Sequence, residues 1–132
     1  MYKFHKDGTL PENGEVFVFG SNIAGIHGAG AAKVAYEKFG AIWSVGIGLH
    51  GQSYAIPTKS GTFKVLDLAI IEAVIKDFII VTKVNLHDNT QWFVTRVGCG
   101  LAGYKDEQIA PMFKEARNCS FAEEWRQYLE RA

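Results

Sequence analysis

The chain has 132 residues, 48% of them hydrophobic, and its 14 basic and 14 acidic residues cancel to zero formal charge. That length makes one domain, able to bury roughly two thirds of its unfolded surface without a disulfide or metal staple. The balanced charge argues against a broad surface for duplex nucleic acid or an anionic membrane, whereas one phosphate-bearing small molecule needs only local donors. The two cysteines, Cys99 and Cys119, fit a reducing cytosol, and neither a CxxC nor a Cys/His metal spacing is present. The opening MYKFHKDGTL carries no apolar signal core, and no run approaches the ~18 apolar residues of a membrane span. The expectation is a cytoplasmic protein with no metal, no cofactor and no membrane partner.

Residues 1–15 are polar and rich in turn dipeptides, Asp7-Gly8 and Asn13-Gly14, with Pro11 between them. Residues 16–19 (VFVF) form a continuous apolar strand of the kind buried on both faces. A loop rich in glycine follows, and residues 29–39 read as a helix with Ala32, Ala35, Tyr36 and Phe39 on one face and Gly40 just past its end. Residues 41–43 suggest a short strand, and residues 44–52 (SVGIGLHGQ) are too rich in glycine for an ordinary one. Residues 53–58 predict a strand closing at Pro57, with Lys59 just beyond and a turn at Ser60-Gly61. The period of Leu66, Ala69, Ile70, Ala73, Val74, Phe78 and Val81 predicts a helix over 65–84, although its tail, residues 78–82, is β-branched and also reads as strand. A loop over 85–89 leads to a strand at 91–97 (QWFVTRV) and a second glycine-rich loop, residues 98–104. Residues 106–116 predict a helix opened by acidic residues, and 121–132 a terminal helix with Phe121, Trp125, Tyr128 and Leu129 on one face. Strands alternating with helices imply an α/β fold with a mostly parallel sheet and helices on both faces.

Ligands of such sheets bind at the carboxyl ends of the strands. Three loops lie there: residues 20–32, 57–61 and 98–104. Of 14 glycines, nine fall within 20–61 and three within 98–103, so glycine is concentrated where strands give way to loops. Strand, glycine loop, helix start is the sequence form of a backbone anion cradle, in which free N–H groups and the positive end of the helix dipole meet phosphate. The alternative is an ordinary tight turn. Two such loops on one edge would hold both sides of a pyrophosphate, each backbone bond to an anionic oxygen contributing about 1.5–3 kcal/mol. Familiar nucleotide motifs do not fit. Lys33 stands where GxGxxG needs its third glycine, and the P-loop spacing and the GxSxG elbow are absent.

The combination resembles a macrodomain. Asn22 stands in a loop after the first long strand, GxG opens a helix, and Val97-Gly98-Cys99-Gly100-Leu101 closes a late strand. The resemblance is strongest to the branch containing the terminal ADP-ribose protein glycohydrolase and related deacylases. That branch has a GAGIA-type stretch like residues 28–32, an IGCGL segment like 97–101 and an ITK-type lysine like Lys59. Small phage and bacterial macrodomain-like proteins with the pattern FGSN…HGAGAA…YAIPTK…GCGLAGY…IAP are closer still, over roughly residues 16–125. The resemblance implies a three-layer αβα domain with an ADP-ribose cleft. Gly28, Ala29, Gly30 and Ala31 would meet the pyrophosphate from one side, and Gly98, Cys99, Gly100, Leu101, Ala102, Gly103 and Tyr104 from the other. Gly20, Ser21, Asn22 and His27 would complete the site, with Asn22 near the distal ribose. It also implies a lysine that attacks that ribose, matched by Lys59, and a carboxylate after GCGL, where this chain has Ala102. Asp106, four residues on, is either a substitute or a helix cap.

Individual residues keep two readings. Lys59 is a nucleophile or a solvated lysine at a strand end. Cys99 is a nucleophile or, more simply, a small residue in a tight loop. His27 binds phosphate or acts as a base, or is inert, and His50 has the same ambiguity. His5 and His87 read as surface residues. Tyr54 and Tyr104 stack on or cap a ligand or, more simply, belong to the core or rim, Arg96 reads as a phosphate partner or a structural ion pair, and Phe121 and Trp125 read as core. The functional expectation is a protein whose partner is ADP-ribose or an ADP-ribosylated nucleotide, either hydrolysing an ADP-ribosyl linkage or binding without turnover. A phage-accessory protein with a vestigial cleft is the third reading.

Overall fold

The computed structural model describes residues 2–84 and 89–130. The predicted loop at 85–89 therefore lies outside the described residues except for Asn89, and so does His87.

The VFVF run begins strand β2 (Val16–Asn22), which continues through Gly20 to Asn22. Its alternation divides the core. Val16 and Val18 point into one cluster, with α2 (Leu68–Val84) and the segment 109–129, while Phe17 and Phe19 point into another, against α1 (Gly30–Lys38). Both faces of the VFVF run are thus buried, which is why no polar residue interrupts it before Ser21 and Asn22 at the strand's carboxyl end. The strand β4 (Ser53–Lys59) lies parallel to β2 on one side, and β5 (Trp92–Val94) lies parallel on the other. Among the described residues six strands form one sheet, in the order β1 (Lys3–His5), β6 (Cys119–Ala122), β5, β2, β4 and β3 (Gly48–His50). Only β3 (Gly48–His50) runs antiparallel, against β4. The chain leaves β2 for β4 on one side and later crosses to β5 on the other, so the carboxyl end of β2 sits at the point where strand order reverses.

Helix α2 bears out the expected helix from Leu68 to Val84, including the β-branched tail, but not at 65–67, where Val65 instead forms an antiparallel bridge with Lys59. Ile71, Ile75, Phe78, Ile79 and Thr82 face the core, and Tyr54, Phe78 and Trp92 pack edge to face there. Gly40 takes φ +79 just after α1, as a C′ glycine should.

Four readings are corrected. Residues 3–5, expected as turn, form strand β1 (Lys3–His5), paired in parallel with β6 (Cys119–Ala122). Phe121, expected on a terminal helix, lies in β6, and helix α4 shrinks to Arg126–Leu129. In β6 every residue is buried between β1 and β5, so period-two alternation is missing, while the spacing to Trp125 and Tyr128 imitates a helix. The strand expected at 41–43 is a loop, and the strand on this side of the sheet is β3, inside the glycine-dense segment. The helix expected over 106–116 is one turn, α3 (Asp106–Ile109), followed by a 3-10 turn, Ala110–Phe113, in which Pro111 has no N–H to give.

Candidate functional site

A cavity of about 660 Å³ opens at the carboxyl ends of β2, β4 and β5. That size lies within the range of small-molecule sites. Both predicted glycine loops line it. From the first come Gly20, Ser21, Asn22, Gly28, Ala29, Gly30 and Ala31, and from the second Gly98, Cys99, Gly100, Leu101 and Ala102. The loop roots touch, since a Cβ on Gly20 would sit 3.6 Å from the amide nitrogen of Gly98.

The first loop ends in α1, whose N-cap residue is Ala29. No side chain caps this helix, and its first turn holds no acidic residue. The amides of Gly30, Ala31 and Ala32 are the leading donors that no intrahelical carbonyl can reach. Gly28 and Gly30 present their missing Cβ to open space, as does Gly100 across the cavity. Gly30 also needs its glycine for a left-handed backbone, φ +58. In the second loop the amides of Cys99, Gly103 and Tyr104 are bonded to Arg96, Gly100 and Gly98 carbonyls. Those of Gly100, Leu101 and Ala102 have no acceptor among the described residues. The two loops thus offer free main-chain donors without a competing carboxylate.

Lys59 enters by a local irregularity. The β2–β4 register runs Ser21 to Pro57 and then Asn22 to Lys59, so Thr58 is an extra residue on β4. This bulge re-aims the chain and sets Lys59 opposite Asn22 at the cavity wall. Pairing with β3 ends at Ala55, which leaves room on that side for Pro57. Asn22 is itself occupied. Its Nδ2 donates to the Ile26 carbonyl at 2.8 Å and its Oδ1 accepts from the Ile26 amide at 3.0 Å. It clamps the loop, and at most one hydrogen and one lone pair remain for a ligand.

Other expected residues lie elsewhere. His27 is buried at 1% exposure and does not line the cavity. Its Nε2 faces the carbonyls of Ile42 and Val45 at 3.0 and 3.1 Å, both acceptors, so that nitrogen carries the proton. His27 therefore ties the first loop to residues 42–45. Gly103 and Tyr104 also lie off the cavity, and the Tyr104 hydroxyl donates to the Leu66 carbonyl. His50 is a surface residue bonded to the Ile47 carbonyl, and Tyr54 is core. Asp106 does not line the cavity, and its carboxylate is engaged elsewhere. Arg96 donates to it in a fork, Nε to Oδ1 at 2.9 Å and Nη2 to Oδ2 at 2.6 Å, and Trp125 Nε1 adds a bond of 2.7 Å. Burial alone would raise this carboxyl, but the Arg96 and Trp125 hydrogen bonds outweigh it and hold the group below the ordinary carboxylate range. Cys99 lines the cavity as a protonated thiol. Burial, with Asp106 nearby, pushes it up to about 12, far from the thiolate that a nucleophile needs.

The sequence reading missed the opposite wall. His5, Asp7, Gly8, Thr9 and Leu10 line the cavity as a strap crossing from β1 toward β2. Asp7 accepts from Arg96 Nη1 at 3.1 Å, and His5 stacks on Phe93 with centroids 3.7 Å apart. Phe17 and Phe93 make an apolar floor between this strap and Val34 of α1. The turn dipeptide Asp7-Gly8 gave no signal that this segment would meet the cavity, because β1 pairs with β6 at the far end of the chain.

No family model matches the chain, and no curated protein does. Solved structures do. A protein of unknown function from Bacteroides thetaiotaomicron is 18% identical and superposes with a TM-score of 0.60, covering 92% of this chain and 98% of that one. A second protein from that organism, a structural-genomics target, is 17% identical with a TM-score of 0.57 and the same coverage. At this identity the likeness establishes the fold alone, a mixed α/β domain with a mostly parallel six-stranded sheet. Among the described residues no helix is long and apolar enough to cross a membrane.

Proposed function

We propose that the chain is a macrodomain-like protein that binds ADP-ribose, or an ADP-ribosylated acceptor, with the diphosphate held between its two glycine loops. One observation carries this reading: two loops with unused amides and open glycine faces meet across a single cavity, and no side chain caps the helix that begins there. The helix start supplies the positive dipole end and the second loop closes on the other phosphate. The apolar floor of Phe17 and Phe93 suits the base, and the wall of Asn22 and Lys59 suits the distal ribose. Packing of α1 on one face of the sheet and of α2 on the other fits a three-layer αβα arrangement. Two free thiols fit a cytoplasmic setting.

Binding without turnover is the primary reading. Among the described residues Asp7 is the one acid lining the cavity, and it is paired with Arg96. Asp106 is committed to Arg96 and Trp125, and Ala102 offers no carboxylate. Hydrolysis is the second reading, favoured by Lys59 at the wall. Calorimetric titration with ADP-ribose separates these from a vestigial cleft. Saturable heat is expected, and no heat with no thermal shift at millimolar ligand would contradict both readings. If an ADP-ribosylated acceptor is turned over, Lys59→Ala should abolish that turnover, and unchanged rates would remove Lys59 from the chemistry.

A further inference from the structure

Phe63 is held where a large side chain is disfavoured. Its φ is +64, and the other non-glycine residues at positive φ among those described are Ser44, Asn89 and Asn118, all small and polar. The turn that imposes this conformation is tied by Ser60. The Ser60 amide donates to the Lys64 carbonyl at 2.7 Å, and the Phe63 amide donates to the Ser60 carbonyl at 3.0 Å. Ser60 Oγ accepts from the amides of Lys64 and Thr62 at 3.1 and 3.3 Å. Packing offers no reason for the ring, which is 50% exposed and belongs to neither core cluster. What it does meet is the cavity, whose lining it shares with Lys59. Backbone strain that packing does not explain, at the mouth of a cleft, points to a ligand contact.

We infer that Phe63 is a specificity-determining contact for the sugar at the distal end of the ligand, the ring whose anomeric carbon faces Lys59. This rests on the ADP-ribose reading. The face of a benzene ring is electron-rich, so it repels phosphate and attracts the carbon-bound hydrogens of a sugar face. The diphosphate is left to the glycine loops, and the ring covers one side of the sugar and excludes water from it. Glycine or asparagine would suit the backbone of this turn better, and phenylalanine is the residue that brings a flat apolar surface to the mouth.

The test compares ADP-ribose with ADP, which lacks the distal sugar, on wild type, Phe63→Asn and Phe63→Trp. Asparagine accepts the left-handed backbone, so Phe63→Asn should melt about 3 °C higher than wild type. It should bind ADP-ribose about tenfold more weakly while its affinity for ADP is unchanged. Phe63→Trp should keep the preference for ADP-ribose. If Phe63→Asn binds ADP-ribose as tightly as wild type, or loses both ligands equally, the inference is overturned while the ADP-ribose reading stands. A wild type that binds neither ligand overturns both.

Discussion

Lys59 faces the cavity because β4 gains one residue at Thr58, and Asp106 does not face it because Arg96 and Trp125 hold it on the other side of the second loop. Both placements depend on local contacts that no spacing rule records. The same holds for His5, which was expected at the surface. Its ring stacks on Phe93 and its Nδ1 lies 2.8 Å from Ser120 Oγ. Burial lowers its pKa to about 4, against the pull of Asp7, Glu124 and Glu123 in the opposite direction. Between about pH 6.5 and about pH 4 the unfolded chain takes up a proton that the folded chain refuses, so His5 removes stability as the pH falls through that window. His5→Phe keeps a ring on Phe93 without the titration. Urea unfolding at about pH 7 and about pH 4.5 should show wild type losing more stability than His5→Phe across the interval. Parallel losses would mean that His5 is solvated in the folded protein.

The elements that were legible are those whose burial is simple. Strand β2 is apolar on both faces, and α2 keeps its helical period to the end, so each announced itself in the residues. The failures have physical causes too. Strands β1 and β6 are 3 and 4 residues long and stabilise each other across almost the whole chain, and pairing at that separation leaves no local pattern. The second glycine-dense segment, residues 44–52, was legible as unusual but not as to purpose. Its glycines let two loops meet backbone to backbone. A Cβ on Gly46 would fall 1.9 Å from the Asn22 carbonyl oxygen, and one on Gly25 would fall 2.2 Å from the Val45 nitrogen. The Ser44 amide also donates to the Gly25 carbonyl at 2.9 Å, and Ser21 Oγ donates to the Gly46 carbonyl. This segment buttresses the first cradle loop. Gly46→Ala should therefore destabilise the fold by on the order of 3 kcal/mol, because backbone must move on both sides. A denaturation midpoint equal to that of wild type would show that the loops separate freely.

At the scale of the whole molecule, the site follows from strand order. The chain runs from β2 to β4 and then to β5, so the loops after β2, β4 and β5 converge at one edge, as the alternation of predicted strands and helices already implied. The edge itself, both glycine loops and Lys59 were readable. The strap over residues 5–10 and the aromatic at Phe63 were not, because one depends on an end-to-end strand pair and the other on a left-handed turn. The central claim is that an anion lies between the two loops, and Gly28 is the place to challenge it. A Cβ there meets nothing within 4 Å, and its backbone, unlike that of Gly30, is not left-handed. A leucine at Gly28 should therefore project into the cavity without unfolding the chain. Calorimetric titration of Gly28→Leu with ADP-ribose, beside wild type, should show affinity at least ~100-fold weaker, the loss of about two amide–phosphate bonds, at an unchanged melting temperature. Equal affinity in the two proteins would contradict the account.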